Sequence, residues 1–447
     1  MGSVDPMDAS HDAAAGSPPG EARQVTLGLL GCGNVGSALV HLVQREADAI
    51  AARTGVRLRI GRVAVHSLSK ERGVELPAEV WTTDGAEVVA DPSVDLVVEV
   101  LGGIEPAREY ITDALKAGKP VVTANKELLA NVGDELFSTA EAAGVDLLFE
   151  AAVAGGIPLI RPLRESLVGE RISRVMGIVN GTTNFILSQM SAHGTGYHDA
   201  LAEAQSLGYA ERDPTADVEG YDAGAKAAII ASIAFGTRVV AGDVYHEGIS
   251  NVDVADIAFA AQLGYTIKLL AICERFEDDS VAVRVHPAMV PDDHPLAAVR
   301  DSFNAVFVQG EAVGDLMFYG RGAGGFPTAS AVLGDVIDAA GNLREGGVGR
   351  IGQLRRPTIR PIDELRSPFY LNLRVADSPG VLATVAGVFG QHGVSIRSME
   401  QEGLGDDARL VFITHSAREA DLRSTLKDLA ALDVVVSVGS VLRVIES

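Results

Sequence analysis

The chain has 447 residues, of which 47% are hydrophobic, and its 37 basic and 60 acidic residues give a formal net charge of −23. At about 150 residues per domain, this length predicts about three domains. The negative charge repels phosphate backbones and anionic lipid, which excludes nucleic acid and membrane surfaces as main partners. The two cysteines, Cys32 and Cys273, are too few for a disulfide framework and predict a reducing, cytoplasmic setting. These features favour a protein that acts on small molecules.

The chain begins with residues 1–23, which are rich in Ala, Gly, Ser, Pro and Asp and predict a disordered leader. Between residues 24 and 150, short apolar runs then alternate with helical patterns. The apolar runs are Val25 to Leu30, Leu58 to Val65, Leu96 to Leu101, Val121 to Thr123 and Val145 to Phe149, and the helical patterns are Asn34 to Ala51, Pro106 to Ala117 and Glu127 to Ala143. This alternation predicts an α/β domain of Rossmann type, with a parallel sheet covered by helices on both faces.

The rest of the chain predicts two further domains and a connector. Residues 151–342 mix strand-like runs with Ala-rich helices, which is typical of an α+β domain with one sheet and helices on one side. Residues 343–368 contain three prolines and indicate a linker. Residues 369–447 follow the order βαββαβ, which is the order of a ferredoxin-like sandwich. Because this last segment has a core of its own, we expect an independent unit tethered by the linker.

A glycine-rich turn follows the first apolar run. It consists of Gly31, Cys32, Gly33, Asn34, Val35 and Gly36, which match the spacing G-x-G-x-x-G. Such glycines permit a tight turn, a close approach of the backbone to a pyrophosphate, and close packing of strand and helix. The N-terminus of the following helix then faces the phosphate charge. The motif in this context predicts a dinucleotide site, and a tight turn without a ligand is the alternative.

The end of the second strand bears on the choice between NAD and NADP. NAD-specific sites usually carry an acid there, which binds the ribose 2′-hydroxyl. This chain instead has His66 and Ser67, followed by Lys70 and Arg72. These two cations suit the 2′-phosphate of NADP, or they are solvated charges of a loop. The sequence therefore leaves the choice between NADP and NAD open.

Asp222 and Lys226 begin a stretch that is apolar nearly all round as far as Phe235. A helix of this kind is buried, and residues four apart share one of its faces. Burial disfavours the charged amine while the neighbouring carboxylate favours it, which suits a lysine to proton transfer near neutral pH. The alternative is a structural ion pair.

An acidic loop precedes this helix. Glu211, Asp213, Asp217 and Glu219 lie close together in a segment that also contains Gly208 and Pro214. Such a loop suits a substrate that carries an ammonium group. An acidic surface loop without a ligand is the alternative.

Several stretches, in this order, resemble the homoserine dehydrogenase family with a C-terminal ACT regulatory domain. They are Gly28 to Gly36, Thr123 to Lys126, Glu150 to Pro158, Asn180 to Phe185, Gly208 to Lys226, Gly322 to Thr328 and, in the ACT segment, Asp377 to Gly380. The resemblance implies NAD(P)H-dependent interconversion of L-aspartate 4-semialdehyde and L-homoserine, in the biosynthesis of threonine, methionine and isoleucine. It also implies that the middle domain binds substrate and forms the dimer contact of a homodimer or homotetramer.

The resemblance implies roles for individual residues. Lys226 is the catalytic acid/base, with Asp222 and Lys126 also in the catalytic set. The substrate is held by Glu211, Asp217, Asp222 and Lys126. The cofactor lies against the glycine-rich turn, Lys126, and also Gly102, Gly208, Gly322 and Gly324. For Lys126, a lysine that only caps the junction of strand and helix is the alternative.

Two further ligands follow from the same resemblance. A sodium ion is implied at the Glu150 side chain and the carbonyls of Val153, Gly155 and Ile157. L-Threonine is implied as the allosteric ligand of the ACT domain, near Asp377, Ser378, Pro379 and Gly380.

Two other functions stay open on the sequence alone. One is another ACT-bearing dehydrogenase that acts on a different aldehyde or keto acid, and the stretches Asn180 to Phe185 and Gly208 to Lys226 count against it. The other is a catalytically inactive sensor of NAD(P)H and an amino acid. The presence of Lys126, Glu211 and the Asp222–Lys226 pair counts against a sensor.

Overall fold

The computed structural model describes residues 22–346, 354–403 and 407–446 of the chain. The predicted leader lies outside the described residues as far as residue 21, and so do residues 347–353 of the predicted linker. Within the described part of the chain, no helix combines the length and the apolar character needed to cross a bilayer.

The first domain is a parallel sheet with helices on both faces. Its strands are β1 (Arg23–Leu30), β2 (Val56–Ala64), β3 (Trp81–Thr82), β4 (Leu96–Glu99), β5 (Val121–Thr123) and β6 (Leu147–Leu148), and its helices are α1 (Asn34–Arg45), α2 (Ala47–Thr54), α3 (Gly85–Ala90), α4 (Ala107–Lys116) and α5 (Lys126–Ala143). The strand order is β3-β2-β1-β4-β5-β6, and all pairs are parallel. From β1 the chain adds β2 and β3 on one side and then β4 to β6 on the other, so the point where the strand order reverses lies between β1 and β4. The predicted Rossmann-type domain is confirmed, although the pattern missed the short β3 and α3.

The middle region is a sheet with helices on one face. Its strands are β7 (Ile172–Ile178), β8 (Tyr245–His246), β9 (Tyr265–Arg275), β10 (Val281–Pro291), β11 (Phe303–Gly310) and β12 (Gly314–Arg321), and its helices are α6 (Gly181–His193), α7 (Tyr197–Ser206), α8 (Thr215–Val218), α9 (Tyr221–Phe235), α10 (Val254–Gln262) and α11 (Gly325–Glu345). The strands pair in the order β12-β11-β7-β9-β10, and β8 adds to β10. Helix α9 packs on β9 and β10 and buries Ala227, Ala228 and Ile230 completely or nearly so. The sequence predicts this burial because α9 is apolar on every side.

Helix α11 leaves the middle sheet and completes the first domain. Ala329, Val332 and Val336 are fully buried in the core that α1 forms with one face of the first sheet. The predicted boundary at residue 342 therefore falls inside a helix of the first core. A hydrophobic pattern shows that a helix has a buried face, but it does not show which sheet covers that face.

The C-terminal segment folds as a ferredoxin-like sandwich. Its strands are β13 (Arg366–Ser367), β14 (Phe369–Ala376), β15 (Ile396–Gly403), β16 (Asp407–Thr414), β17 (Ala417–Arg418) and β18 (Val435–Val444), and its helices are α12 (Val381–Gln391) and α13 (Glu419–Ala430). The main strands pair in the order β18-β14-β16-β15. The predicted βαββαβ order is confirmed, and residues 404–406 of the predicted turn between β15 and β16 lie outside the described residues.

The sheets of the middle and C-terminal domains are continuous. Strand β18 runs parallel to β10, with Arg443 opposite Ala288 and Val444 opposite Met289. The buried Asp256 of the middle domain accepts a hydrogen bond from the Tyr370 hydroxyl at 2.9 Å. The prediction of an independent, tethered unit is therefore wrong. Its separate hydrophobic pattern is real, but the pairing of one strand edge with another leaves no trace in such a pattern.

The predicted linker also packs against the middle domain. Val281 donates its backbone N–H to the carbonyl of Thr358, and Arg360 donates its own to the carbonyl of Val281. The described part of this segment, from residue 354, is thus held on the edge of β10 before it reaches β14.

Candidate active site

The glycine loop joins β1 to α1 at the point where β1 and β4 diverge. Gly31 has a left-handed φ of 102°, and a Cβ atom there would lie 2.9 Å from the carbonyl oxygen of Val100. A Cβ atom on Gly36 would lie 2.5 Å from the carbonyl oxygen of Gly31, whereas one on Gly33 would meet nothing within 4 Å. Among the described residues, no side chain caps the N-terminus of α1. The first N–H groups of α1 and the open space at Gly33 fit the pyrophosphate of a dinucleotide.

The other predicted cofactor glycines differ in their positions. Gly102 follows β4 with a φ of 80° and donates its N–H to the buried Glu99 carboxylate. Gly322 and Gly324 lead into α11, whose first residue, Gly325, lies against the glycine loop, because a Cβ atom there would lie 3.0 Å from the Asn34 carbonyl oxygen. Gly208 lies in an exposed turn after α7 and lines neither of the two cavities described below.

A cavity of about 420 Å³ lies beside the glycine loop. Its lining includes Cys32, Gly33, Asn34, Lys70, Arg72 and Phe326. The structure therefore brings both predicted cations to the loop. Arg72 donates two N–H groups to the carbonyls of Ser67 and Lys70, each at 2.6 Å, and so stabilises the turn in which it lies. The Lys70 side chain is exposed and makes no ion pair within the described residues.

Two lysines from different domains meet on one carboxylate. Lys126 opens α5 after β5, while Asp222 and Lys226 lie one turn apart on α9. Lys226 Nζ donates to Asp222 Oδ2 and to the carbonyl of Val179, both at 2.7 Å, and Lys126 Nζ donates to Asp222 Oδ1. The side chain of Asp222 is 5% exposed, that of Lys226 12% and that of Lys126 43%. This Lys–Asp–Lys cluster links the first domain, through Lys126, to the middle domain, through Asp222 and Lys226.

Opposite charges govern the electrostatics of the cluster. Burial alone would raise the pKa of Asp222, but Lys226 and Lys126 outweigh burial and hold that pKa well below its usual range. Burial opposes the charge on Lys126, but Asp222 outweighs this effect and keeps the pKa of Lys126 above its ordinary value. At neutral pH, Asp222 is therefore a carboxylate and Lys126 an ammonium group.

Asn180 orients the carboxylates from the N-terminus of α6. Its side-chain oxygen accepts the backbone N–H of Thr183 at 2.9 Å. Its Nδ2 donates to Asp217 Oδ1 at 2.7 Å and to Asp222 Oδ2 at 2.8 Å. Burial raises the pKa of Asp217, Asn180 opposes the rise and the nearby Asp222 charge adds to it. Asn180 thus fixes the spacing of two like charges at the centre of the site.

A cavity of about 460 Å³ opens beside the Lys–Asp–Lys cluster. Its lining includes Lys126, Glu211, Asp213, Asp217, Tyr221, Asp222 and His246. Three members of the predicted acidic loop thus share one space with the Lys126 ammonium, whereas Glu219 lies elsewhere and accepts a hydrogen bond from Ser250. Lys226 does not line the cavity itself, but its partly exposed side chain is bound to Asp222, which does. Carboxylates and an ammonium group around one cavity suit a ligand with the opposite pair of charges, such as an amino acid.

The predicted sodium residues lie in a 3-10 turn and the loop after it, next to α11, where the Glu150 backbone N–H donates to Asp335 at 2.7 Å. The Glu150 side chain is buried, and its carboxylate accepts the backbone N–H groups of Leu159 at 2.5 Å and of Ile160 and Arg161 at 2.7 Å each. A carboxylate has about four acceptor positions, so Glu150 keeps about one for a cation.

The carbonyl groups of the same turn complete a suitable set of oxygens. Ala154 and Gly155 both adopt left-handed φ values, 57° and 56°, which redirect the carbonyls of the turn. Within the described ranges, no backbone N–H donates to the carbonyls of Val153, Gly155 or Ile157. The same ranges contain no cluster of three or more His, Cys, Asp and Glu side chains for a metal. A cation bound here would therefore depend mainly on carbonyl oxygens, which suits a hard cation.

The predicted allosteric loop lies at the end of β14. Asp377, Ser378, Pro379 and Gly380 are all exposed, and Gly380 immediately precedes α12 with a φ of 92°. The loop is therefore accessible to a small molecule.

Comparison with known proteins relates this site to characterised sequences. The family model described as the NAD binding domain of homoserine dehydrogenase matches residues 31–150, that of homoserine dehydrogenase matches residues 158–337, and that of the ACT domain matches residues 369–434. The homoserine dehydrogenase of Corynebacterium glutamicum is 53% identical over 434 residues, which cover 96% of this chain and 97% of that protein. The chain belongs to the homoserine dehydrogenase family. It is an oxidoreductase that acts on a CH–OH group with a nicotinamide cofactor.

Solved structures agree with this assignment. The crystal structure of a homoserine dehydrogenase from Thiobacillus denitrificans is 41% identical, has a TM-score of 0.90, and covers 95% of this chain and 99% of its own. A hyperthermophilic archaeal homoserine dehydrogenase in complex with NADPH is 30% identical with a TM-score of 0.60, and it covers 71% of this chain and 97% of its own.

Sequence reasoning missed two residues of the site. The sequence predicted no role for Asn180 and used it only as part of a stretch that resembles the family. An Asn between a strand and a helix is nevertheless a recognisable N-cap. His246 lines the cavity beside the Lys–Asp–Lys cluster, next to Tyr221, with the two rings 4.4 Å apart. It lies on the two-residue strand β8, which is too short to give a pattern.

Proposed function

We propose that this member of the homoserine dehydrogenase family interconverts L-aspartate 4-semialdehyde and L-homoserine beside the Lys–Asp–Lys cluster, as a step towards threonine, methionine and isoleucine. The observation that carries the proposal is the meeting of Lys126, Asp222 and Lys226 beside a cavity that is also lined by Glu211. When bound, the nicotinamide supplies or accepts the hydride at C4 of the substrate.

Lys226 moves the proton at the substrate oxygen. In the reducing direction the C4 oxygen gains a proton from the Lys226 ammonium, and in the oxidising direction the C4 hydroxyl returns one to the amine. Two of the three N–H groups of Lys226 are bound, to Asp222 and to Val179, which leaves one for the substrate oxygen. Asp222 holds the ammonium in place, and Lys126 pairs with the other carboxylate oxygen of Asp222. A positioned acid of this kind typically contributes about 10²–10⁴-fold to the rate.

Glu211, Asp217 and Lys126 bind the charged groups of the amino acid. The exposed Glu211 carboxylate lines the cavity and forms no ion pair within the described residues, so it is available for the substrate ammonium. This contact exists in the ground state and in the transition state alike. We therefore expect Glu211→Gln to raise the KM for homoserine with kcat nearly unchanged. Steady-state kinetics measure both constants, and an unchanged KM would make Glu211 a solvated loop residue.

The cofactor proposal is NADP in preference to NAD. The exposed Lys70 ammonium shares a cavity with the uncapped N-terminus of α1, and no acid ends β2. The archaeal relative in complex with NADPH supports the same choice. Two ligands complete the proposal: a sodium ion held by Glu150 and the carbonyls of Val153, Gly155 and Ile157, and L-threonine as an effector at the Asp377 to Gly380 loop.

Initial rates of homoserine oxidation by the full-length protein test these proposals together. We expect faster turnover with NADP⁺ than with NAD⁺, and Lys70→Ala should reduce that preference because it removes a phosphate contact. Rates in NaCl should exceed those in choline chloride at equal ionic strength. A preference for NAD⁺ would contradict the first proposal, and equal rates in both salts would contradict the second.

The same assay with threonine tests the effector. Threonine should lower the rate at saturating homoserine. Asp377→Ala should weaken this inhibition, because it alters the loop proposed to bind threonine. Typical allosteric coupling changes an affinity by about 5–150-fold. A point variant is needed because removal of the ACT domain would also break the continuous sheet. Inhibition that disappears at high homoserine would instead indicate competition at the active site. The predicted homodimer or homotetramer stays a prediction.

A further inference from the structure

We propose that Arg443 of the ACT domain is a positioning residue for the substrate site, acting through Glu247. The inference rests on the proposed function, because it concerns how the homoserine cavity is held in shape. Strand β10 pairs with the last two residues of the ACT strand β18, Arg443 and Val444, and also with Tyr245 and His246 of the middle domain. The joined sheets therefore bring the end of β18 close to the segment 244–249.

Arg443 joins the two domains by its charge. Its Nη1 and Nη2 each donate to one carboxylate oxygen of Glu247 at 2.9 Å, and its Nε and Nη2 donate to Glu419. Arg443 and Glu419 are both buried, whereas the Glu247 side chain is 35% exposed. The Tyr245 hydroxyl also donates to Glu247, and its ring lies 5.7 Å from the guanidinium. One guanidinium thus holds two carboxylates that would repel each other without it.

The backbone of Glu247 packs on the start of α9. Gly220 immediately precedes α9 as its N-cap, and a Cβ atom there would lie 3.3 Å from the Glu247 carbonyl oxygen. The next residue of the segment, Gly248, has room for no Cβ atom, since one would lie 2.4 Å from the carbonyl oxygen of Val218. The Ile249 N–H then donates to the same Val218 carbonyl at 2.8 Å. The segment held by Arg443 is therefore packed against the turn between Asp217 and Asp222.

The same segment carries part of the cavity wall. His246 precedes Glu247 and lines the substrate cavity, with its ring in edge contact with Tyr221 on α9. A loss of Arg443 would let Glu247 move away from Glu419. This movement would displace the cavity wall at His246 and the support beneath Asp217 and Asp222. It would leave the glycine loop, in another domain, untouched.

Kinetics of the Arg443→Met full-length protein test this inference. We expect the KM for homoserine to rise about tenfold, within the range of typical coupling, with the KM for the cofactor nearly unchanged. Partial unfolding would lower kcat without changing KM, so the KM for homoserine separates positioning from stability. Arg443→Lys keeps the charge but loses the bidentate contact with Glu247. Its KM for homoserine should therefore lie between those of the wild type and Arg443→Met.

The matched control is Arg374→Met, which removes an ACT arginine whose partner, Asp407, lies in the same domain. It should leave the KM for homoserine unchanged. Glu247→Gln should raise KM as Arg443→Met does, and the double variant should add little, because both changes break the same contact. A wild-type KM for homoserine in Arg443→Met would overturn the inference.

Hydrogen exchange supplies a readout that does not need turnover. Amides of residues 215–225 and 244–250 should exchange faster in Arg443→Met than in the wild type, and Arg374→Met should match the wild type. A wild-type protein that does not oxidise homoserine would refute the proposed function while this measurement still decides the role of Arg443. Unchanged exchange in both segments would refute that role.

Discussion

Lys226→Ala should lower kcat for homoserine oxidation by at least about 10²-fold, the low end of the effect of a positioned acid or base. The variant removes the group proposed to exchange a proton with the C4 oxygen, while the glycine loop proposed to bind the cofactor lies in another domain. Cofactor affinity, measured by fluorescence titration, should therefore stay close to that of the wild type. Stopped-flow absorbance of the nicotinamide measures the loss of rate.

The control for this variant is Lys116→Ala, at an exposed site in the last turn of α4. It changes the net charge equally and should keep full activity. The structure also makes Lys126 a competing candidate for the proton donor, because Lys126 lines the cavity and Lys226 does not. A Lys226→Ala variant that kept most of its kcat, beside an inactive Lys126→Ala variant, would move the role to Lys126.

Asp222→Asn should also lower kcat by at least about 10²-fold, for a different reason. The change leaves two lysines facing each other without the carboxylate that now pairs both. The pKa of Lys126, which Asp222 holds above its ordinary value, should fall. Breaking a buried pair typically costs about 3–5 kcal/mol of stability. The cost here should be smaller, because the Lys126 side chain is 43% exposed.

Denaturant unfolding and steady-state rates together measure the effect of Asp222→Asn. The control is Asp199→Asn, at an exposed position in the first turn of α7, which should change neither quantity. A stable Asp222→Asn variant with wild-type kcat would show that the carboxylate only fills space between the lysines.

The sequence predicts those features that depend on local patterns. The glycine spacing after β1 and the all-round apolar helix with Asp222 and Lys226 are both visible along the chain, and the structure has them where they are expected. The order of the ACT strands is equally local, since each strand and helix is amphipathic within its own domain.

Features that depend on distant partners are not predictable in this way. The Lys126–Asp222 contact joins residues from two domains, and only the resemblance to the family connected them. The N-cap at Asn180 is a local signal, but its contacts with Asp217 and Asp222 exist only after α6 and α9 pack together. The pairing of β18 with β10 depends on a free strand edge, which has no compositional signature. The oxygens proposed for sodium are mostly backbone carbonyls, which every residue possesses.

The most direct test of the central claim follows deuterium from homoserine labelled at C4. The wild-type protein should transfer the label to C4 of the nicotinamide, which NMR of the reduced cofactor detects, and Lys226→Ala should transfer it at least about 10²-fold more slowly. A wild-type protein that transfers no label, or a Lys226→Ala variant that transfers it at the wild-type rate, would contradict the account.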